Sequence, residues 1–265
     1  MKVTRVLLCR PSYFAVDYII NPHMQPHSVD QPLAMRQWEA LKSALETLGI
    51  QAEVVEQQPD VPDMVFATDQ GIVQDGKILL ANFRFAQRKK ESHYYRQWFK
   101  EHGFGIRSLS NVFPFEGGDT LFFGDMLFVG TGFRASVASC EELSKKLDKD
   151  VIPLRLVDPA YYHLDTCFFP LDDTAAFYYP PAFSGNSRNL LKKLVPDLHE
   201  LSEAEAAGFA ANSFAANGTV LIETGVQSFR QKLEALGKKV VELDMSEFNK
   251  SGGGIHCLIN TLEKE

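Results

Sequence analysis

The chain has 265 residues, 45% of them hydrophobic and 23% charged, with a net charge of −7. That length supports a sizeable core; the acidic balance and the absence of a basic run argue against nucleic acid as a partner. No apolar stretch approaches the ~20 residues needed to span a bilayer, so a membrane is not expected either. The opening Met1–Cys9 lacks a signal peptide's apolar region and cleavage site and reads as a first strand over 3–9. Next comes a long polar segment, Pro11 to Pro32, containing Asp17-Tyr18-Ile19-Ile20-Asn21-Pro22. Loops of that length usually have a function; residues 12–30 are a candidate lid, and Asn21 within them a candidate substrate contact. Apolar residues at helical spacing predict a helix over 33–48 with Gly49 behind it, then a strand over 50–56.

A unit then recurs. Asp75-Gly76, Gly124-Asp125, Asp172-Asp173 and Asn217-Gly218 each separate two short apolar runs, the pattern of a β-hairpin. Helices are predicted over 88–102, 136–147, 187–194 and 226–236, and further strands over 104–109, 151–157 and 239–243. The turns at 75, 124, 172 and 217 are spaced by 49, 48 and 45 residues. A period near 50 with hairpin, helix and strand in each unit is a repeat architecture. A fifth unit is expected to be split across the termini, from a strand over 252–262 and the elements of 3–56. Such closure leaves the sheets' edges protected.

Polar clusters occupy one place in each unit. Asp69 is six residues before its turn, Glu116-Gly117-Gly118-Asp119 begins eight before, and His163-Leu164-Asp165 begins nine before. Cys257 follows three consecutive glycines, Gly252 to Gly254, in the fifth unit, and the fourth offers Asn212. Alone, each carboxylate reads as a cap or turn residue, and His163 and Cys257 as core residues. Equivalent positions in a closed repeat converge on one axis, so Asp69, Glu116, Asp119, His163, Asp165 and Cys257 are expected to meet. Arg84 and Arg134 follow their turns by eight and nine residues and form a candidate forked grip on one anionic group.

The four cysteines, Cys9, Cys140, Cys167 and Cys257, show no CxxC spacing, and the seven histidines no HExxH pattern. This argues against a zinc site or a disulfide scaffold and for a reducing cytoplasm. Two arginines and a thiol also fit a hard-cation site poorly, so neither metal nor cofactor is expected. Carboxylates suit a cationic group and arginines an anionic one, which together describe an arginine-like small molecule. A bound cation beside Cys257 favours thiolate. Cys257 then attacks the guanidinium carbon, and His163, oriented by Glu116, serves as acid and then base. A binding protein without catalysis has no need of that nucleophile.

At Glu116-Gly117-Gly118-Asp119, Tyr162-His163-Leu164-Asp165-Thr166 and Gly252-Gly253-Gly254-Ile255-His256-Cys257 the sequence resembles the guanidino-modifying (pentein) superfamily. Its members include arginine deiminases, dimethylarginine dimethylaminohydrolases, amidinotransferases and arginine dihydrolases. The resemblance runs nearly end to end. It implies an α/β fold, a five-bladed α/β propeller of pseudo-fivefold repeats, over a single catalytic domain, 1–265. It also implies a homodimer, a metal-free thiol mechanism and catalytic roles for Cys257, His163 and Glu116. Asp69 and Asp165 match guanidinium-binding positions, and Arg84 and Arg134 carboxylate-binding ones. The segments 16–22 and 62–66 look most like the arginine dihydrolases, which release two ammonia molecules and leave ornithine. That group is expected to carry asparagine where this chain has Asp69, in Ala67-Thr68-Asp69-Gln70-Gly71. A single hydrolysis of free or N-methylated arginine to citrulline, with loss of ammonia or a methylamine, is therefore the expectation. Dihydrolysis to ornithine and amidino transfer to an amine are its alternatives.

Overall fold

A hairpin turn with two positive-φ residues suits the twist of the strands it joins. Asp75 and Gly76 have φ of 51° and 67°, Asn217 and Gly218 of 52° and 80°. The computed structural model describes residues 2–110 and 112–264. In chain order these residues form β1 (Val3–Arg10), α1 (Gln31–Thr47), β2 (Gln51–Glu56), β3 (Gly71–Gln74), β4 (Lys77–Leu80), α2 (Glu91–Glu101) and β5 (Gly105–Ser108). Next are β6 (Thr120–Phe123), β7 (Met126–Thr131), α3 (Val137–Leu147), β8 (Asp150–Arg155), β9 (Phe168–Pro170), β10 (Ala175–Tyr178), α4 (Gly185–Leu194) and β11 (Asp197–Glu200). The chain ends with α5 (Glu203–Ala207), β12 (Phe214–Ala216), β13 (Thr219–Glu223), α6 (Gln227–Ala235), β14 (Lys239–Leu243), α7 (Ser246–Asn249) and β15 (Asn260–Lys264).

The strands make five three-stranded sheets among the described residues. In each, an inner strand runs antiparallel to a middle strand, which runs parallel to an outer one; β3-β4-β5, β6-β7-β8, β9-β10-β11 and β12-β13-β14 are sequential. The fifth joins the two ends of the chain: β15 pairs antiparallel with β1, and β1 parallel with β2. A helix crosses from middle to outer strand each time, as a parallel pair requires. The result is the expected propeller-like ring, with the split unit where the repeat placed it. The inner strands β3, β6, β9, β12 and β15 line an axial cavity of about 350 Å³.

Helices fill the wedges between sheets. The Asp30 side chain caps α1 by accepting from the Leu33 N–H at 2.9 Å, satisfying one of the first turn's free donors. Ala34, Trp38, Leu41 and Leu45, spaced along one face, are buried against Val6 and Leu8 of β1 and Leu221 of β13. Fully burying each of the larger side chains stabilises by about 1.5–3 kcal/mol. One helix thus ties the closing sheet to its neighbour.

Two sequence expectations shift. No strand is expected after the helix over 187–194, yet β11 lies there; its Asp-Leu-His-Glu sequence suits an outer strand with both ends in solvent. The final strand begins at Asn260 rather than near 252, because residues 256–258 form a 3-10 turn after the glycine run.

Candidate active site

The polar clusters sit on one recurring device. Each inner strand is preceded by a short 3-10 turn: Ala67–Gln70, Gly117–Asp119, Leu164–Thr166, Ala210–Asn212 and His256–Leu258. In the second, third and fourth turns the hydroxyl of Thr120, Thr166 or Ser213 donates to the carbonyl three residues back, at 2.7 to 2.8 Å. That local bond closes the turn without a helix. Glu116 and His163 immediately precede their turns; Asp69, Asp119, Asp165, Asn212 and Cys257 lie within theirs. Gly117 and Gly118 are required by how closely the turns approach. A Cβ on Gly117 falls 1.8 Å from the Thr68 carbonyl oxygen, and one on Gly118 falls 2.6 Å from Asp69 Oδ1 and 2.7 Å from His163 Nδ1.

Three linked groups result. In the first, His163 Nε2 lies 3.0 Å from Glu116 Oε2, and its Nδ1 lies 3.5 Å from Asp69 Oδ1. Burial works against charge on His163, but Asp69, Asp119 and Glu116 outweigh it and raise its pKa to about 9. These carboxylates favour the imidazolium form, which has a proton to give. Burial likewise opposes ionisation of Glu116, yet Arg134 and His163 hold its carboxyl well below the ordinary range.

In the second, Cys257 Sγ lies 3.2 Å from Asp165 Oδ2 and 3.1 Å from the Asn212 Nδ2 donor. Asn212 Oδ1 accepts from the Cys257 N–H at 3.3 Å, and its Nδ2 also donates to the Asp165 carbonyl at 3.1 Å. Burial, then Asp165 and Asp69, push the Cys257 thiol well above its usual pKa. Asp165 Oδ1 and both Asp119 oxygens are buried without a hydrogen-bond partner. Buried carboxylate oxygens are costly in that state, and where they persist they mark a place for a donor.

The third group is cationic. Arg134 donates from Nη1 to Glu116 Oε2 at 2.7 Å and from Nη2 to the Ile20 carbonyl at 3.3 Å, between the rings of Phe85 and Tyr162. Arg88 is 3% exposed and forks onto Glu91 at 2.9 and 2.8 Å. It also bonds Asp69 Oδ2 and lies 3.9 Å from Glu116 Oε2. Asp69, Glu116 and His163 offer ligand atoms within 4.8 Å of one another, a spacing a metal ion could use. Arg88 bonds Asp69 and Arg134 bonds Glu116, so a metal ion there would have to displace those bonds.

The residues singled out by sequence fall into distinct surroundings. Asp69, Glu116, Asp119, His163, Asp165 and Cys257 are all buried at the turns. Arg134 is buried on Glu116, whereas the Arg84 side chain is exposed and only its backbone N–H reaches Glu116 Oε1, at 3.2 Å. Asn21 bonds the Ser251 carbonyl beside the glycine run at 2.9 Å. It belongs to the segment between β1 and α1, which is also held by Tyr18 to Asp63 at 2.7 Å and by His23 to the Ala160 carbonyl at 2.7 Å. Sequence reasoning missed Arg88 and His256. Arg88 falls at the start of the helix predicted over 88–102, where a charged side chain suits the solvated face; its spacing of three from Glu91 is the signal that marks a fork.

A family profile described as N,N dimethylarginine dimethylhydrolase, eukaryotic, matches residues 10–264. The chain belongs to this dimethylarginine dimethylhydrolase family. Among its relatives is the N(G),N(G)-dimethylarginine dimethylaminohydrolase of Mycobacterium tuberculosis, 35% identical over 97% of this chain and 85% of that protein. The bifunctional arginine dihydrolase/ornithine cyclodeaminase ArgZ of Synechocystis is 37% identical over 96% of this chain. The chain spans only 37% of ArgZ's length. A crystal structure of the N-terminal domain of ArgZ from cyanobacteria, a cysteine-to-serine variant bound to substrate, superimposes with a TM-score of 0.94 at 35% identity, covering 97% of each chain. No helix among the described residues of this dimethylarginine dimethylhydrolase-family protein is long and apolar enough to cross a membrane.

Proposed function

We propose that the protein hydrolyses free or N-methylated arginine to citrulline, with Cys257 as nucleophile and His163 as acid and base. Hydrolysis of guanidino C–N bonds comes with the family; the nucleophile, the leaving group and the number of steps are the added reading. The carrying observation is Asp165. One of its oxygens touches the Cys257 thiol and the other is buried without a partner. A guanidinium whose N–H groups meet Oδ1 has its carbon beside the sulfur. Its charge lowers the thiol pKa, so the cation enters as the thiol proton leaves to solvent water. Thiolate attack gives a tetrahedral adduct; the His163 imidazolium protonates the departing ammonia or methylamine, leaving a thiouronium. Neutral His163 then takes a proton from water, whose oxygen adds to the same carbon and expels Cys257. Asp69, already held by Arg88, orients the imidazolium and the guanidinium. A reducing, cytoplasmic setting suits the four cysteines, which are all free and buried.

A second reading is dihydrolysis to ornithine. It is favoured by the 37% identity to ArgZ and the superposition on its N-terminal domain. Asp69 favours the single step, because dihydrolases resembling this chain are expected to carry asparagine there.

Product analysis by mass spectrometry on arginine, monomethylarginine, dimethylarginine, agmatine and guanidinoacetate separates the readings. Citrulline with ammonia or a methylamine is expected. Ornithine with two ammonia per arginine sinks the single-step reading, and transfer only when an amine is added sinks hydrolysis.

The raised Cys257 pKa gives a further expectation. At neutral pH the free protein shows little thiolate absorbance in the ultraviolet at Cys257. Titration with methylguanidinium raises that signal, and Cys257→Ser, run as the blank, shows no rise. An unchanged wild-type spectrum at saturation would rule out activation by the bound cation.

A further inference from the structure

We propose that His256, next to the nucleophile in sequence, is a positioning residue that holds Asp165 from the axial side of the site. The proposal rests on the reading of Asp165 as a guanidinium ligand. His256 Nδ1 lies 3.0 Å from Asp165 Oδ2, the same oxygen that faces the Cys257 thiol. Because the partner is a carboxylate, Nδ1 carries the proton and donates it. The ring borders the axial cavity, and the side chain is 20% exposed. None of the other residues holding Asp165, Cys257 or His163 described above lines that cavity.

The physical need for this contact arises during the reaction. In the resting site Asp165 Oδ2 accepts from the Cys257 S–H and from His256. Once Cys257 becomes a thiolate it has no proton to donate, and its charge repels the carboxylate oxygen 3.2 Å away. Among the described residues, no other side chain donates to Asp165; Asn212 reaches only its backbone carbonyl. From that step on, the His256 N–H alone keeps Oδ2 beside the sulfur and Oδ1 turned toward the guanidinium. A thiol is a weak donor and an N–H to a carboxylate a strong one, so His256 also dominates the hold before ionisation.

The turn itself does not depend on the ring. The Thr68 hydroxyl donates to the His256 backbone carbonyl at 2.8 Å and also to the Ile259 carbonyl. Substituting the side chain therefore leaves the main chain of the turn fixed. Asparagine places an amide N–H where Nδ1–H stands, whereas phenylalanine keeps the ring and removes the donor.

The test compares His256→Phe and His256→Asn, each with Cys257 intact for kinetics and in the Cys257→Ser background for calorimetric binding of arginine and N,N-dimethylarginine. His256→Phe should weaken binding and lower kcat/KM by roughly 10- to 100-fold, the scale of one hydrogen bond to a charged group. The thermal midpoint should fall modestly, because a buried carboxylate loses a donor, and should recover in His256→Asn. His256→Asn should recover binding and kcat/KM to within a few-fold, a rescue that loss of ring packing does not predict. Binding and kcat/KM unchanged by His256→Phe, or no recovery in His256→Asn, overturns the role of His256 alone. Failure of the parent Cys257→Ser protein to bind either compound overturns the reading of the site, and this role with it.

Discussion

Cys257→Ser is expected to abolish turnover while leaving the fold intact. Serine is nearly the same size, and the side chain at this position is 2% exposed within the cluster that includes Ile255, Leu258 and Phe214. Asn212, which donates to the sulfur at 3.1 Å, can donate equally to a hydroxyl. Stability should thus change by no more than about 1 kcal/mol, the range for a substitution that opens no cavity and strands no polar group. Chemistry changes far more. A bound guanidinium can draw a thiol into its ionised form near neutrality, but a serine hydroxyl has no comparable ionised population, and the neighbouring Asp165 carboxylate is far too weak a base to create one. A fall in kcat of at least ~10³-fold is expected, the scale on which nucleophile removal is felt elsewhere. Product quantitation and a thermal melt on the same preparation check both halves. A variant retaining a tenth of the activity would end the thiol mechanism.

Glu116→Gln should damage both stability and rate. The carboxylate is fully buried and touches His163 Nε2 at 3.0 Å and Arg134 Nη1 at 2.7 Å, with Arg88 at 3.9 Å. Removing its charge leaves buried cations without their partner, a change that typically costs about 3–5 kcal/mol. It also removes one of the carboxylates holding the His163 pKa at about 9, so less imidazolium is present to protonate the leaving group. General acid catalysis is typically worth ~10²–10⁴-fold, and a loss toward the lower end of that range is expected.

The signs for stability follow from the two shifts. His163 is raised from 6.5 to about 9. Its contribution is therefore complete below about pH 6.5 and disappears as pH rises through 9. Glu116 is depressed from 4.5, so its contribution is present above that value and is lost as pH falls toward its folded pKa. The stability gap between wild type and Glu116→Gln should be widest between these limits and narrow on either side. Denaturant titrations at pH 3, 7 and 10 measure it. A gap that did not vary with pH would show that the carboxylate acts by packing alone.

The ring architecture was readable because it rests on local chemistry repeated at a fixed period. Asp75-Gly76 and Asn217-Gly218 need positive φ, hairpins follow, and four evenly spaced hairpins with a helix after each leave matching elements at the two termini for a fifth unit. The strand that escaped notice, β11, is an outer strand whose residues meet solvent, so no apolar alternation was there to mark it. The clusters around Glu116, His163 and Cys257 were readable for the same reason as the hairpins: equivalent positions in a closed repeat meet.

What the sequence by itself determined is this repeat, its closure through the termini and the identity of the groups brought to the axis. Only the tertiary structure decided which partners those groups take. Arg84 and Arg88 are four residues apart, yet Arg84 extends into solvent and Arg88 is sealed between Asp69 and Glu91. The two oxygens of Asp165 differ because one meets Cys257 and His256 and the other no protein donor. Periodicity fixes the direction in which a residue points, to within the face of a strand or turn. Hydrogen bonds and buried charge depend on distances of a few tenths of an ångström between different sheets, set by the packing of the whole ring.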